Sequence, residues 1–264
     1  LPVADPELPA LAAGALSYTT LSAWRRCSMR RRIERELGLR RLEPLEEGAR
    51  EPGQQGGARG FGSEIHKAIA RLGFEDGESH EAALASTALH GAERERAAGM
   101  LQSLLDSPLA RELRRAGRIR RELPFSLTLG EHLLQGRIDL LAEFEGEALV
   151  VDWKSGEDPD DVFGADYALQ RRLYALAVLS SSEPPERVRS LSYPLAGGEP
   201  VFETFTLKDL GGLRAELIAE IERILAEAPV AAAGGEPEPF CLDCPGLERL
   251  VALRAGEPVP AGAA

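Results

Sequence analysis

Lysine is almost missing from this chain of 264 residues. Of its 31 basic residues only Lys67, Lys154 and Lys208 are lysine, and all the others are arginine. A sequence that turns to arginine for its surface cations has a special use for a lysine, because the compact, titratable ammonium and the planar guanidinium are not interchangeable. Long apolar runs are also lacking. None approaches the roughly 20 residues that a membrane-spanning helix needs, so no membrane partner is expected. The N-terminus has no basic segment ahead of an apolar run, so no secretory signal is expected. Three cysteines are too few for a disulfide scaffold. The expectation is a cytoplasmic location with reduced thiols. The chain opens on Leu1 rather than Met, and a piece of something longer is expected. No G-x₄-G-K-[ST] phosphate loop occurs, so ATP hydrolysis by that route is not expected.

What is present is ordinary globular composition, 44% hydrophobic and 28% charged, with a formal charge of −12. The sum argues weakly against nucleic acid, but the distribution does not. Eight arginines fall within residues 25–41 and six within 111–121. Each could be a solvated helix face. Taken together, a phosphate-tracking surface is equally well supported, with Arg118, Arg120 and Arg121 as its candidates.

The apolar periodicity divides the chain. Residues 1–16 form a Pro/Ala-rich lead-in. A helical region begins at Ser17, and 43–60 reads as a glycine-rich mobile loop. Helices are expected over 63–72 and 81–116, the latter broken at Ser107-Pro108. Strands follow at 119–127, 132–144 and 147–153, the last two joined by a Glu145-Gly146 hairpin. A helix at 165–180, strands at 187–194 and 200–206, and a helix at 207–227 complete a body spanning 17–227. Residues 228–264 are a linker and a cysteine-bearing tail. This order predicts an α/β fold with a mixed sheet flanked by helices.

The densest chemistry lies between Gly136 and Gly156. Asp139 ends one apolar strand and Asp152 ends the next. Asp152 and Lys154 are two apart, so on a strand they share a face. A carboxylate buried at a strand end requires a partner. Two brought together by adjacent strands repel, and a divalent cation relieves this; hard oxygen ligands suit Mg²⁺ or Mn²⁺. Either aspartate alone reads more simply as a strand end paired with Lys154. The two together with a rare lysine point to a site. His66 sits one turn into a helix after the glycine-rich loop, and Gln170 and Tyr174 share a helix face.

These four elements resemble the RecB-type branch of the PD-(D/E)XK nucleases. The set is Gly62 with His66, Gly136-Arg137-Ile138-Asp139, Val150-Val151-Asp152-Trp153-Lys154-Ser155-Gly156, and Gln170 with Tyr174. The resemblance implies a restriction-endonuclease-like fold. It implies a divalent metal held by His66, Asp139, Asp152 and the main-chain carbonyl of Trp153. Lys154 corresponds to the superfamily lysine, and Gln170 and Tyr174 to supporting residues near the DNA backbone. Glu122 matches an acidic position ahead of the motif strands and receives a supporting role. The implied activity is metal-dependent DNA hydrolysis, exonuclease-type, on single strands from duplex ends in recombinational repair, with a helicase motor in cis or in trans. A standalone exonuclease like the CRISPR-associated RecB-type enzymes, or a degenerate fold that only binds DNA, are the alternatives. Some members carry an iron–sulfur cluster. Cys27, Cys241 and Cys244 match three of its ligands, but Leu250 stands at the fourth, so free cysteines are favoured over a cluster.

Overall fold

Short apolar segments account for the strands, and two-residue turns at Gly130-Glu131 and Glu145-Gly146 join the first three. The computed structural model describes residues 15–26, 58–75, 79–155 and 164–226. Among these residues there are seven helices and five strands. The helices before the sheet are α1 (Tyr18–Arg26), α2 (Ala58–Ile69), α3 (Glu81–Leu84), α4 (Gly91–Asp106) and α5 (Pro108–Leu113). The strands are β1 (Arg118–Leu129), β2 (His132–Glu143), β3 (Glu147–Lys154), β4 (Arg187–Pro194) and β5 (Val201–Thr206). Helix α6 (Gly164–Leu179) lies between β3 and β4, and α7 (Leu210–Ala226) follows β5.

The sheet has the order β1-β2-β3-β4-β5, and β3 and β4 are its parallel pair; the other neighbours are antiparallel. The expected mixed α/β sheet is therefore present. The β2–β3 connection is the expected tight hairpin: Phe144 and Glu147 exchange backbone hydrogen bonds and Gly146 takes φ +70. The parallel pair needs a crossover, and α6 supplies it.

One face of the sheet packs on α2 to α5. Leu140, Ala142, Leu149, Val151 and Trp153 join Phe61, Ile65, Ile69, Leu101, Leu104 and Leu113 in one core. Helix α6, buried along most of its length, packs on β4 and β5 and also touches β1 and β3.

Where the helices differ from the sequence expectation, local hydrogen bonds explain it. The stretch expected as a helix over 81–116 is three pieces. Ser86 and Thr87 donate their hydroxyls back to Ala83 and Leu84 carbonyls at 2.7 and 2.8 Å, which ends α3. The second break falls at Ser107, whose Oγ caps α5 by accepting from Ala110 N–H at 3.1 Å, with Pro108 in the first turn. Helix α7 starts at Leu210 rather than 207, because Asp209 Oδ2 accepts from both the N–H and the hydroxyl of Thr206 and closes a turn there.

The described residues divide into two compact units. One comprises 15–18 and 58–218, and the other 19–26 and 219–226, in which Arg25 pairs with Glu220. No helix among the described residues is long and apolar enough to cross a membrane. Cys27, Cys241, Cys244 and Leu250, most of the 43–60 loop and the C-terminal tail lie outside the described residues.

Candidate metal and nuclease site

Register brings the acids together. The β1–β2 ladder pairs Arg121 with Leu140 and Leu123 with Ile138, so Glu122 and Asp139 fall on the rung between. The β2–β3 ladder ends at Leu140 and Val151, and the next rung holds Asp139 and Asp152. Glu122, Asp139 and Asp152 thus lie in one row across three adjacent strands. At the end of the paired region the Asp139 carboxylate replaces a backbone acceptor: its Oδ2 accepts from Trp153 N–H at 3.0 Å. The N–H and C=O of one strand residue point to the same edge. The Trp153 carbonyl therefore also faces β2, while Lys154 C=O accepts from Leu195 N–H on the β4 side.

His66 comes to this row from α2, with Nδ1 3.5 Å from Asp139 Oδ2. One ligand atom each from His66, Glu122 and Asp139 lies within 4.8 Å of the other two. These residues line a cavity of about 610 Å³ with Gly62, Ser63, Lys67, Arg71, Arg137 and Ser155 among its walls. Burial lowers the His66 pKa, but Asp139, Asp152 and Glu122 raise it by more, and the net shift is upward.

A second group adjoins it on the α6 side. Asp152 is almost fully buried. Its Oδ1 accepts from Gln170 Nε2 at 2.8 Å, and its Oδ2 faces Lys154 Nζ at 2.5 Å. Gln170 Oε1 accepts from the same ammonium at 2.7 Å, and its Nε2 also donates to Tyr174 Oη at 2.8 Å. The Tyr167 ring lies 4.2 Å from Lys154 Nζ. Burial raises the Asp152 pKa, the Lys154 ammonium opposes this, and Asp139 adds to it; the balance is upward. The Tyr174 phenol is pushed well above its ordinary value by burial and by the two aspartates.

The glycines of the motifs are places of close approach. A Cβ on Gly62 would lie 2.8 Å from Ser155 Oγ, so glycine lets α2 come down on the end of β3. Gly136 stands opposite Phe125, whose ring covers it; a Cβ there would lie 2.7 Å from two ring carbons. That ring in turn packs edge-on against Tyr174 at 5.7 Å.

The family model of the PD-(D/E)XK nuclease superfamily matches residues 15–248. The chain belongs to this superfamily. Among its relatives are ATP-dependent helicase/nuclease subunits from two strains of Desulfitobacterium hafniense, DSM 10664 / DCB-2 and Y51. Each is 41% identical over 100 residues, covering 33% of this chain and 7% of the relative. The match thus spans a small fraction of those relatives' length. Similar solved structures include SSO0001, with a TM-score of 0.37 and 13% identity over 84% of this chain and 80% of that one. Another is a candidate exonuclease from Eubacterium rectale, with a TM-score of 0.45 and 12% identity over 88% of this chain and 94% of that one.

His66, Asp139, Asp152, Trp153, Lys154, Gln170 and Tyr174 are brought to one region. Two points differ from the sequence expectation. Glu122, given only a supporting role, stands in the acidic row beside His66 and Asp139, whereas Asp152 faces Lys154 and Gln170. Among the arginines Arg118 is exposed, but Arg120 pairs with Glu143. Arg121 donates to the Leu72 carbonyl at 2.8 Å and lies over the Phe74 ring. Alternation along β1 separates the three, because Arg121 points to the opposite face from the other two.

Proposed function

We propose that this chain is a divalent-metal-dependent DNA nuclease domain that hydrolyses phosphodiester bonds in strands released at duplex ends, working with a helicase motor. The observation that carries the reading is the row of Glu122, Asp139 and Asp152 across three strands, with His66 at one side and Lys154 at the other. The residues present fit a hard divalent cation. Two carboxylates and an imidazole converge within 4.8 Å, and the Asp139 carboxylate raises the pKa of Asp152, a repulsion between acids that a cation would relieve.

His66, Glu122 and Asp139 would hold Mg²⁺ or Mn²⁺, with Asp152 and the Trp153 carbonyl completing the set on the β3 side. When bound, the ion supplies charge neutralisation at the scissile phosphate and a more acidic water. Asp152 is held by the Gln170 amide, which fixes the orientation of its carboxylate. Lys154 presents a compact ammonium beside that carboxylate, where it stabilises negative charge building up on phosphate oxygens. Gln170 binds Asp152 and Lys154 at once and sets the distance between them. Tyr174 remains a neutral phenol and holds Gln170 from behind.

The similarity to ATP-dependent helicase/nuclease subunits supports the helicase partner, and the intact Asp152 and Lys154 support an active enzyme over a fold that only binds DNA. The test uses single-stranded and blunt duplex oligonucleotides labelled at either end, with Mg²⁺, Mn²⁺ or EDTA. Wild type is expected to cut with either metal and not with EDTA. Lys154→Arg is expected to lose at least about a hundredfold in rate, because a planar fork cannot replace an ammonium held on three sides. Metal-independent cleavage, or a Lys154→Arg variant at the wild-type rate, would overturn the reading.

A further inference from the structure

Helix α6 carries another buried polar residue next to Gln170. Arg171 is 7% exposed. Its Nε and one terminal nitrogen contact Glu203 Oε1 on β5 at 2.9 and 2.8 Å, and its other terminal nitrogen donates to Ser192 Oγ on β4 at 3.2 Å. Ser192 is the parallel-register partner of Asp152. Consecutive residues on a helix diverge by about 100°. Gln170 therefore reaches β3 while Arg171 reaches β4 and β5, its Ser192 contact on the Asp152 rung and its Glu203 contact opposite Ser190, two residues along β4.

We propose that Arg171 is a positioning residue, which locks α6 in rotation and height on the sheet so that Gln170 can hold Asp152 and Lys154. A buried ion pair is poor support for stability, since apolar replacements of similar size are often as good or better. Its use here is geometric. Leu169, Leu173 and Leu176 give α6 an apolar underside, which tolerates small rotations and slides. A shift of one residue is only about 1.5 Å along the axis, and it would separate Gln170 from Asp152 Oδ1 and Lys154 Nζ together. Gln170 cannot act as its own anchor, because the groups it holds are those that must respond to substrate. The guanidinium reaches two strands and defines the helix position independently of the reaction centre. This inference rests on the reading of Asp152, Lys154 and Gln170 as that centre.

The test pairs a kinetic readout with one that does not need cleavage. Arg171→Met is combined with Glu203→Gln, so that no buried charge is left unpaired, and Gln170→Ala is made alone and in combination. Lys154 acylation by an acetyl ester is followed by mass spectrometry, with the exposed Lys67 and Lys208 as internal standards. The Arg171→Met/Glu203→Gln protein is expected to lose about ten- to a hundredfold in kcat, as for a small misplacement of reacting groups, with KM within about twofold. Acylation of Lys154 should rise several-fold over the standards. Adding Gln170→Ala should lower kcat no further than Gln170→Ala alone, since both changes break the same hold. If the double variant fails to fold, Ser192→Ala, which removes one hydrogen bond, should show the same trends at smaller size. Multiplicative losses in kcat, or unchanged Lys154 acylation, would overturn the proposal. A wild type that never cleaves DNA would sink the nuclease reading instead, and the acylation result would still decide whether Arg171 holds the cluster.

Discussion

At the scale of single residues, the site is shaped by what is small as much as by what is charged. Gly136 makes room for the Phe125 ring, and the ring holds the edge-on contact with Tyr174. Gly136→Ala would force the ring away from its place and should cost about 1–3 kcal/mol by overpacking. Urea unfolding would show it, and Phe125→Leu in the same chain should return part of the loss. Asp152 leads to a different expectation. Burial raises its pKa, Lys154 opposes this, and Asp139 adds to it, so the folded chain holds the proton more tightly than the unfolded chain. Stability falls with pH wherever the folded state binds more protons. The Asp152 carboxyl should therefore lower metal-free stability as pH rises from its ordinary value of 3.8 through the raised folded value. Asp152→Asn removes that slope. Its urea midpoint, followed from about pH 4 to about pH 8, should be flatter than that of wild type and no lower near neutrality, while cleavage is lost. A steeper profile, or a marked loss of stability at neutral pH, would contradict the burial argument.

At the scale of elements, the strands were legible as apolar segments set between turn residues: β1 alternates toward its end, and β3 is a continuous buried run. β4 falls on residues 187–194 as expected, and the Asp152 and Lys154 pair follows directly from two-residue alternation. The row of acids was less visible, because it depends on register. Leu129 pairs with His132 across Gly130-Glu131, and counting back from that turn sets Glu122 opposite Asp139; the turn was the missing signal. Arg171 was hidden for another reason: a polar residue on an apolar helix does not say which strand it will meet. The arginine cluster at 118–121 looked continuous only in one dimension, and the pleat of β1 divides it. His66 is a joint product of α2 and the sheet end, and it yields a test of the pair. Its net raised pKa means that its contribution to metal-free stability is full below the ordinary value of 6.5 and is lost as pH rises through the folded value. A metal ligand must be the neutral imidazole. Mn²⁺ affinity measured by calorimetry should thus climb as pH rises from about 6 to about 8. His66→Ala should bind more weakly and lose most of that dependence. A wild-type affinity independent of pH would remove His66 from the ligand set.

At the scale of the whole molecule, an acidic chain must still bring a polyanion to a cluster of carboxylates. With a formal charge of −12, general attraction cannot do this, so local charge at the site has to. A divalent cation in the acidic row would offset most of the negative charge there, and it would also enter the folding equilibrium. A ligand that binds only the folded chain stabilises it by RT ln(1 + [L]/Kd), about 2.7 kcal/mol at a hundred times Kd. In the unfolded chain Glu122 lies 17 residues from Asp139 and 56 from His66, and nothing holds the three together. Thermal unfolding with Mn²⁺ or Mg²⁺ should therefore shift upward with the logarithm of metal concentration once Kd is passed, and EDTA should return it to the metal-free value. Asp139→Asn should abolish most of the shift, because Asp139 lies beside His66 and Glu122 and also accepts from Trp153 N–H. Asp152→Asn should retain a larger part of it, since in the metal-free fold that carboxylate is committed to Gln170 and Lys154. Equal loss in the two variants would mean that Asp152 turns fully toward the ion on binding, and an unshifted wild type would mean that the row of acids does not hold a cation at all.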